Sequence, residues 1–189
     1  MNILSRMSAY RLSLSIYLIV FLLLCELYAK NHRLLATLAR TTLTDELTGL
    51  KNRYALKNKT FEQGCIFLLD VDDFKKVNDE FGHYIGDLVL QHLASILKMC
   101  SPQSSLVSRW GGEEFLIVAS NFNDAQAKTL CQQILDTCVA FPFSYQEIKL
   151  NITLSIGATC FKRMDHANTL YFLKRVDGCL YNAKAKGKN

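Results

Sequence analysis

The sequence predicts an α/β or α+β domain in which helices pack on a single sheet, because short apolar runs of strand length alternate with stretches of helical periodicity. Two of the strand-like runs flank Gly111-Gly112, a hairpin signal, since glycine adopts the positive φ of a primed turn at little cost. There is no internal repeat, and only two prolines interrupt 189 residues. That length holds one domain and a short appendage, and a hydrophobic fraction of 50% is ample for its core.

The appendage comes first. Leu12 to Cys25 carries no charge; at about 1.5 Å per residue it covers roughly 21 Å, short of the ~30 Å hydrocarbon core of a bilayer. Extending it to about 9–29 closes the gap and brings in Arg11, which can snorkel, and Glu26, near the two ends. Leu27 stands where a signal-peptide cleavage site at Ala29 needs a small residue, so the expectation is one uncleaved span within a membrane anchor over 1–29. Arg6 and Arg11 on one side nearly balance Lys30, Arg33 and Arg40 on the other, which leaves orientation undecided. Residues 30–44 read as a helical linker, and Leu27, Leu34 and Leu38 make a brief stripe that suits a parallel coiled coil.

The texture changes after Thr44, where a domain over 45–189 begins. Residues 65–70 (CIFLLD) form a buried strand, followed by an interval containing Gly82 and Gly86. Residues 87–100 follow a helical period, with Asp87 in a helix-starting position. Strands at 106–110 and 115–120 form the hairpin, and residues 123–140 an amphipathic helix with an Asn/Asp start. A long strand over 148–161 and a last helix over 168–185 complete the domain.

Composition narrows the partners. The net charge is +5, but residues 1–40 hold five cations against Glu26 alone, leaving 17 basic and 16 acidic residues in the remainder. Basicity beside an apolar segment points to a membrane surface rather than to nucleic acid. Seven cysteines at irregular spacings, with no C-x-x-C pair, read as reduced thiols rather than a disulfide frame, with Cys131 and Cys138 as small core residues. Asn151-Ile152-Thr153 matches a glycosylation sequon by chance, in a strand-like run.

Glu113 and Glu114 after the glycines would be solvated turn residues if they stood alone. A second acidic cluster, Asp70, Asp72 and Asp73, lies at the end of the 65–70 strand and is followed by Lys75 and Lys76. Carboxylates so placed repel one another unless a cation is present. An EF-hand is excluded, since its sixth and twelfth positions, counted from Asp70, are Lys75 and Phe81. If the two strands are neighbours, Glu113 at the hairpin tip lies beside Asp70. Two hard oxygen ligands with nearby carbonyls then suit a Mg²⁺ that keeps open positions for substrate phosphates, which Lys75 would help neutralise.

DELTGLKNR (45–53), DVDDFKKVNDEFGHYIGD (70–87), RWGGEEF (109–115) and AKAKGKN (183–189) together resemble the GGDEF family of diguanylate cyclases, in the family's order and spacing and as its GGEEF variant. The resemblance implies a nucleotidyl-cyclase or polymerase-palm-like, ferredoxin-type sheet flanked by helices. It also implies condensation of two GTP into cyclic di-GMP and two pyrophosphates, with Mg²⁺ (or Mn²⁺) as cofactor. Carried over by position, Asp70, the carbonyl of Val71 and Glu113 match metal ligands. Glu113 also matches the proposed base, Lys75 the residue that stabilises the transition state, and Glu114 an assistant at a second metal or a turn residue. Asp73 and Phe74 match backbone phosphate contacts, Lys184 and Lys188 basic contacts to the distal phosphates, and His83 a position at the substrate pocket. Lys188 stands where the family usually has Arg, which keeps the charge and loses the bidentate fork. Asn78 and Asp87 match the guanine-reading pair; as a bare residue, Asp87 is equally a helix N-cap.

Two departures from the family pattern carry expectations. Pro102 and Ser105 occupy the positions of its R-x-x-D product-binding motif, so feedback inhibition through that site is not expected. The sequence ends where relatives often add a short strand, so one sheet edge is expected to be open or irregular. Because each 3′-hydroxyl must reach the other GTP, the resemblance implies a homodimer. Since GTP is cytoplasmic, it implies an inner-membrane protein with a single span and its catalytic domain in the cytoplasm. The competing readings are an inactive GTP or cyclic di-GMP receptor, a membrane-anchored scaffold, and a cyclase for another nucleotide.

Overall fold

The computed structural model describes residues 16–34, 43–57 and 59–187. The chain divides into two units, residues 1–42 and 43–189. In the first, residues 16–34 form helix α1, with every residue exposed. Leu27 and Leu34 of the expected stripe are among them, and Leu38 lies outside the described residues. Among the described residues no helix is long and apolar enough to cross a membrane. The span expected over about 9–29 is therefore not found, and its residues 9–15 lie outside the described residues.

The second unit is built on a five-stranded sheet of order β1-β3-β4-β2-β7. Its strands are β1 (Lys51–Asn52), β2 (Gly64–Val71), β3 (Leu106–Gly111), β4 (Glu114–Ser120) and β7 (Leu154–Phe161). A one-turn 3-10 segment (Arg53–Leu56) follows β1. The β1–β3 pairing is parallel and the other three are antiparallel. The helices are α2 (Phe74–Cys100), α3 (Asp124–Ala140) and α4 (Thr169–Ala185). Eight consecutive buried residues mark β2 as a central strand covered on both faces. Alternation then sorts its side chains. Cys65, Phe67, Leu69 and Val71 join the core cluster that includes α2 and α3, whereas Ile66 and Leu68 join a second cluster with Phe172, Val176 and Leu180 of α4. The α+β expectation of helices flanking one sheet holds.

Two elements differ from expectation. The interval before residue 87 is helical: α2 begins at Phe74 and is broken at Gly82, whose φ of 82° and ψ of 161° leave the helical region. Asp87 therefore lies inside the helix beyond that break, not at an N-cap. The stretch 148–161 is not one strand. Residues 151–153 are irregular, and β6 (Ile148–Leu150) pairs instead with β5 (Phe143–Tyr145) in a separate two-stranded sheet. Asn151 of the sequon thus lies exposed outside any strand. The 123–140 helix forms as expected, closed by a capping box in which Asn123 and Gln126 exchange side-chain and backbone hydrogen bonds.

The cysteines depart in one bond. Cys65 and Cys160 face each other across β2 and β7 and are joined in a disulfide. Cys25, Cys100, Cys131, Cys138 and Cys179 are free. Burial pushes the Cys131 and Cys138 thiols up to about 11, with the neighbouring Cys100 adding to the second. Cys138 is the small core residue expected, whereas Cys131 is half-buried.

Candidate active site

The site grows from the register of β2 against β4. Asp70, near the end of β2, lies opposite Glu114 at the start of β4. Opposite residues of an antiparallel pair point to the same face. That face is the α4 side, where Lys184 Nζ reaches Asp70 Oδ1 at 2.7 Å. The cation that acids at a strand end require is thus supplied, within the chain, by Lys184. Glu114 feels the crowd: burial, then the charges of Asp70, Glu113 and Asp177, raise its carboxyl above the usual range, against an opposing pull from Lys184.

Glu113 sits in the turn itself. Gly111 of β3 pairs with Glu114, so the two-residue turn is Gly112-Glu113 rather than Gly111-Gly112, and a register shift falls between Arg109 and Gly111. Gly112, at φ 40°, is the turn residue with positive φ, as in a type II′ hairpin, where glycine takes the first central position. The Val71 N–H donates to the Glu113 carbonyl at 3.4 Å, which brings the last residue of β2 against the tip. The predicted neighbourhood of Asp70, Val71, Glu113 and Glu114 is therefore present.

On the α2 side of the same tip lies a groove of about 410 Å³ lined by Phe74, Lys75, Asn78, Asp79, His83, Asp87, Leu90, Arg109, Gly112 and Glu113. That volume falls in the ~300–1,000 Å³ range of small-molecule sites. Six predicted residues meet here: Phe74, Lys75 and Asn78 from α2 before its break at Gly82, His83 and Asp87 from beyond it, and Glu113 from the hairpin tip. Lys75 is exposed and makes no salt bridge with the described residues, whereas Lys76 pairs with Asp73 at 3.3 Å. Asp73, at φ 54°, holds the left-handed position before the helix and gives it no side-chain cap. The opening N–H groups of a helix left in this way suit an anion.

Other predicted residues lie elsewhere. Asp72 turns to β7, accepting from the Ser155 hydroxyl at 2.7 Å and the Thr153 hydroxyl at 2.9 Å. Lys184 and Glu114 lie on the α4 face and do not line the groove, and Lys188 lies outside the described residues. For a metal, Asp70, Glu113, Glu114 and the adjacent Val71 backbone are hard oxygen donors that fit Mg²⁺. Among the described residues no group of three or more His, Cys, Asp or Glu side chains forms a ready-made cage. An ion that takes one or two carboxylates and fills its shell with water and phosphate needs none.

Sequence reasoning missed Arg109 and Asp45. Arg109 Nε donates to the Gly112 carbonyl at 2.9 Å, while Nη1 lies 3.4 Å from both oxygens of Asp45. Burial would raise the Asp45 carboxyl, but the Thr48 hydroxyl and N–H and the Arg109 guanidinium together hold it below the usual value. Nothing local in the sequence pairs residues 64 positions apart. The one available signal was an arginine placed in a strand two residues before the glycines.

The GGDEF family profile, described as "Diguanylate cyclase, GGDEF domain", matches residues 42–189. Diguanylate cyclase DgcP of Pseudomonas aeruginosa is 34% identical over 157 residues, which cover 78% of this chain and 23% of that protein. Diguanylate cyclase A of Treponema denticola is 33% identical over 124 residues, covering 66% of this chain and 33% of that protein. The chain thus spans only about a quarter to a third of the length of these relatives. Among solved structures, diguanylate cyclase SiaD of Pseudomonas aeruginosa, crystallised with its activator SiaC, matches with a TM-score of 0.70 at 27% identity, covering 98% of this chain and 74% of that one.

Proposed function

Because the chain belongs to the GGDEF family, we propose that it is a diguanylate cyclase that condenses two GTP into cyclic di-GMP with release of two pyrophosphates. The observation that carries this reading is the β2–β4 register. It sets Asp70 opposite Glu114 and hangs Glu113 over the groove that also holds Lys75, Asn78 and Asp87.

In this reading the guanine lies toward Asn78 and Asp87. A carboxylate accepts from guanine N1–H and N2–H₂, a donor edge that adenine lacks, so Asp87 disfavours ATP. His83 lines the same wall. The triphosphate runs past the opening N–H groups of α2 at Asp73 and Phe74 toward Lys75, whose charge offsets the negative charge on the α-phosphoryl oxygens as the phosphorus becomes pentavalent. Glu113 takes the proton of the ribose 3′-hydroxyl. The 3′-oxygen then bonds to the α-phosphorus of the facing GTP, and the bond to pyrophosphate breaks. Asp70, Glu113 and the Val71 carbonyl would hold Mg²⁺, with Mn²⁺ as a substitute; bound there, it neutralises phosphate charge and acidifies the hydroxyl. Lys184 and Lys188 are assigned to the distal phosphates, which requires Lys184 to exchange Asp70 for phosphate when substrate enters.

One GTP site per domain, in this reading, and a two-fold product make a homodimer part of the proposal. The absence of an R-x-x-D clamp at Pro102 and Ser105 makes weak product inhibition another part, read by initial rates with added cyclic di-GMP. Membrane attachment through residues 1–29 rests on the apolar run 12–25 alone, and the cytoplasmic side for the catalytic domain on GTP being cytoplasmic. Fractionation of the full chain beside residues 41–189 tests it. The chemistry is tested by incubating the full chain with GTP and Mg²⁺ and quantifying cyclic di-GMP and pyrophosphate. The parent chain is expected to form both in a 1:2 ratio, and Glu113→Gln to lower the initial rate at least ~100-fold. A Glu113→Gln chain as active as its parent would remove the proposal.

A further inference from the structure

Gly86 is a buried glycine in the interior of α2, four residues past the break at Gly82. Glycine is among the poorest residues for a helix interior, and alanine the best. Its backbone needs no special conformation there, as its φ is not positive. Only a close approach accounts for it. A Cβ built at Gly86 overlaps Asn78 Oδ1, falls 3.1 Å from Asn78 Cγ and comes within 3.2 Å of Phe74 Cζ. Asn78 is eight residues earlier, on the far side of the break, and its amide lies directly over the Gly86 backbone. The first obstacle is the outer end of a flexible side chain and not backbone, so a methyl group would displace the amide without disrupting the helix.

We infer that Gly86 is a specificity-determining positioning residue: by having no side chain, it seats the Asn78 amide against α2 so that Asn78 meets the nucleobase beside Asp87. The inference rests on the reading of the groove as a guanine nucleotide site and adds the residue that fixes its geometry. Asn78 lies before the break and Asp87 after it, and the contact between Asn78 and Gly86 sets the distance between the two base-reading groups. Asp87, the next residue along, shares the backbone on which Asn78 rests. An alanine at 86 would push the amide outward and leave Asp87, Lys75 and Glu113 where they are, so base recognition should weaken while the phosphoryl chemistry is spared.

The test is a double-mutant cycle in the full chain with Asn78→Ala, Gly86→Ala and the double variant. Equilibrium binding of the α,β-methylene analogues of GTP and ATP, which cannot release pyrophosphate, is measured alongside kcat and KM for GTP and thermal unfolding. Loss of one positioned hydrogen-bonding group corresponds to a roughly 3- to 10-fold effect. Gly86→Ala is expected to weaken the GTP analogue by that factor, raise KM in parallel, change kcat less than twofold, leave the ATP analogue unchanged and not lower the melting temperature. In the Asn78→Ala background, where the methyl group has room, the same substitution should cost nothing further, because residues that act through one contact are not additive. Additive losses, an equal loss of both analogues, or a Gly86→Ala chain that binds the GTP analogue like its parent would each overturn the inference with the base-reading role intact. If Asn78→Ala itself leaves GTP binding unchanged, the base-reading role falls and takes the inference with it.

Discussion

Glu114 carries a carboxyl that the fold makes costly to ionise, and this has a pH signature. Its value is raised by burial first and by Asp70, Glu113 and Asp177 next, with Lys184 only partly opposing. For an acid whose folded-state value is raised, the charged form is penalised in the native state. The cost is fully present above the raised value, shrinks as pH falls through it and is gone below the ordinary carboxylate value. Glu114→Gln removes the charge, so without metal the variant is expected to melt above its parent near neutral pH. The gap should close on acidification through the raised value; scanning calorimetry across pH reads it, and a gap that widens toward acid would contradict the assignment. Asp45 behaves in the opposite sense. Held low by Thr48 and Arg109, it contributes stability above the ordinary carboxylate value, and that contribution is lost as pH falls through the lowered one.

Among the elements, α4 depends on a glycine in the strand beneath it. A Cβ at Gly157 of β7 would strike the backbone of Val176 and Leu180. Those atoms cannot swing aside as the Asn78 amide can, so Gly157→Ala is expected to destabilise the domain by about 1–3 kcal/mol in denaturant titration. It should also loosen Lys184, which α4 delivers to Asp70. Most elements were legible because their patterns are strong: the wholly apolar 65–69 run, the Asn123 start of α3 and the double glycine. The first half of α2 was not, because Gly82 and Gly86 look like loop residues until Gly82 is seen as a break and Gly86 as a packing site. The division of 148–161 was hidden because the side chains of 151–153 continue the strand-like alternation; pairing of β6 with β5 separates them.

At the scale of the whole molecule, the carboxylate half of the site was readable and the rest only partly. Asp70, Glu113 and Lys75 announce themselves as charges in apolar surroundings, and that β2 and β4 be neighbours is enough to bring Asp70 to the hairpin tip that carries Glu113. That Asp70 and Glu114 share the α4 face follows from strand parity, which the sequence contains once the register is known. Pairs such as Asp45–Arg109 and Asp70–Lys184 come from chain closure over 64 and 114 positions, which no local pattern encodes. If catalysis needs two facing domains, product formed per chain should fall on dilution below the dimer dissociation constant. The isolated 41–189 segment should then need a higher concentration than the full chain for the same rate. A flat dilution series would exclude the dimer requirement.

The Asp45–Arg109 contact makes the entrance of the domain mechanically significant. Thr44 bridges Lys51, Asp45 grips Arg109, and Arg109 holds the carbonyl of the residue that precedes Glu113. The backbone just after Leu43 is thus tied to the hairpin tip by two side chains, through contacts none of which is longer than 3.4 Å, so Asp45→Ala would cut this polar link between the domain's first residues and the carbonyl beside Glu113.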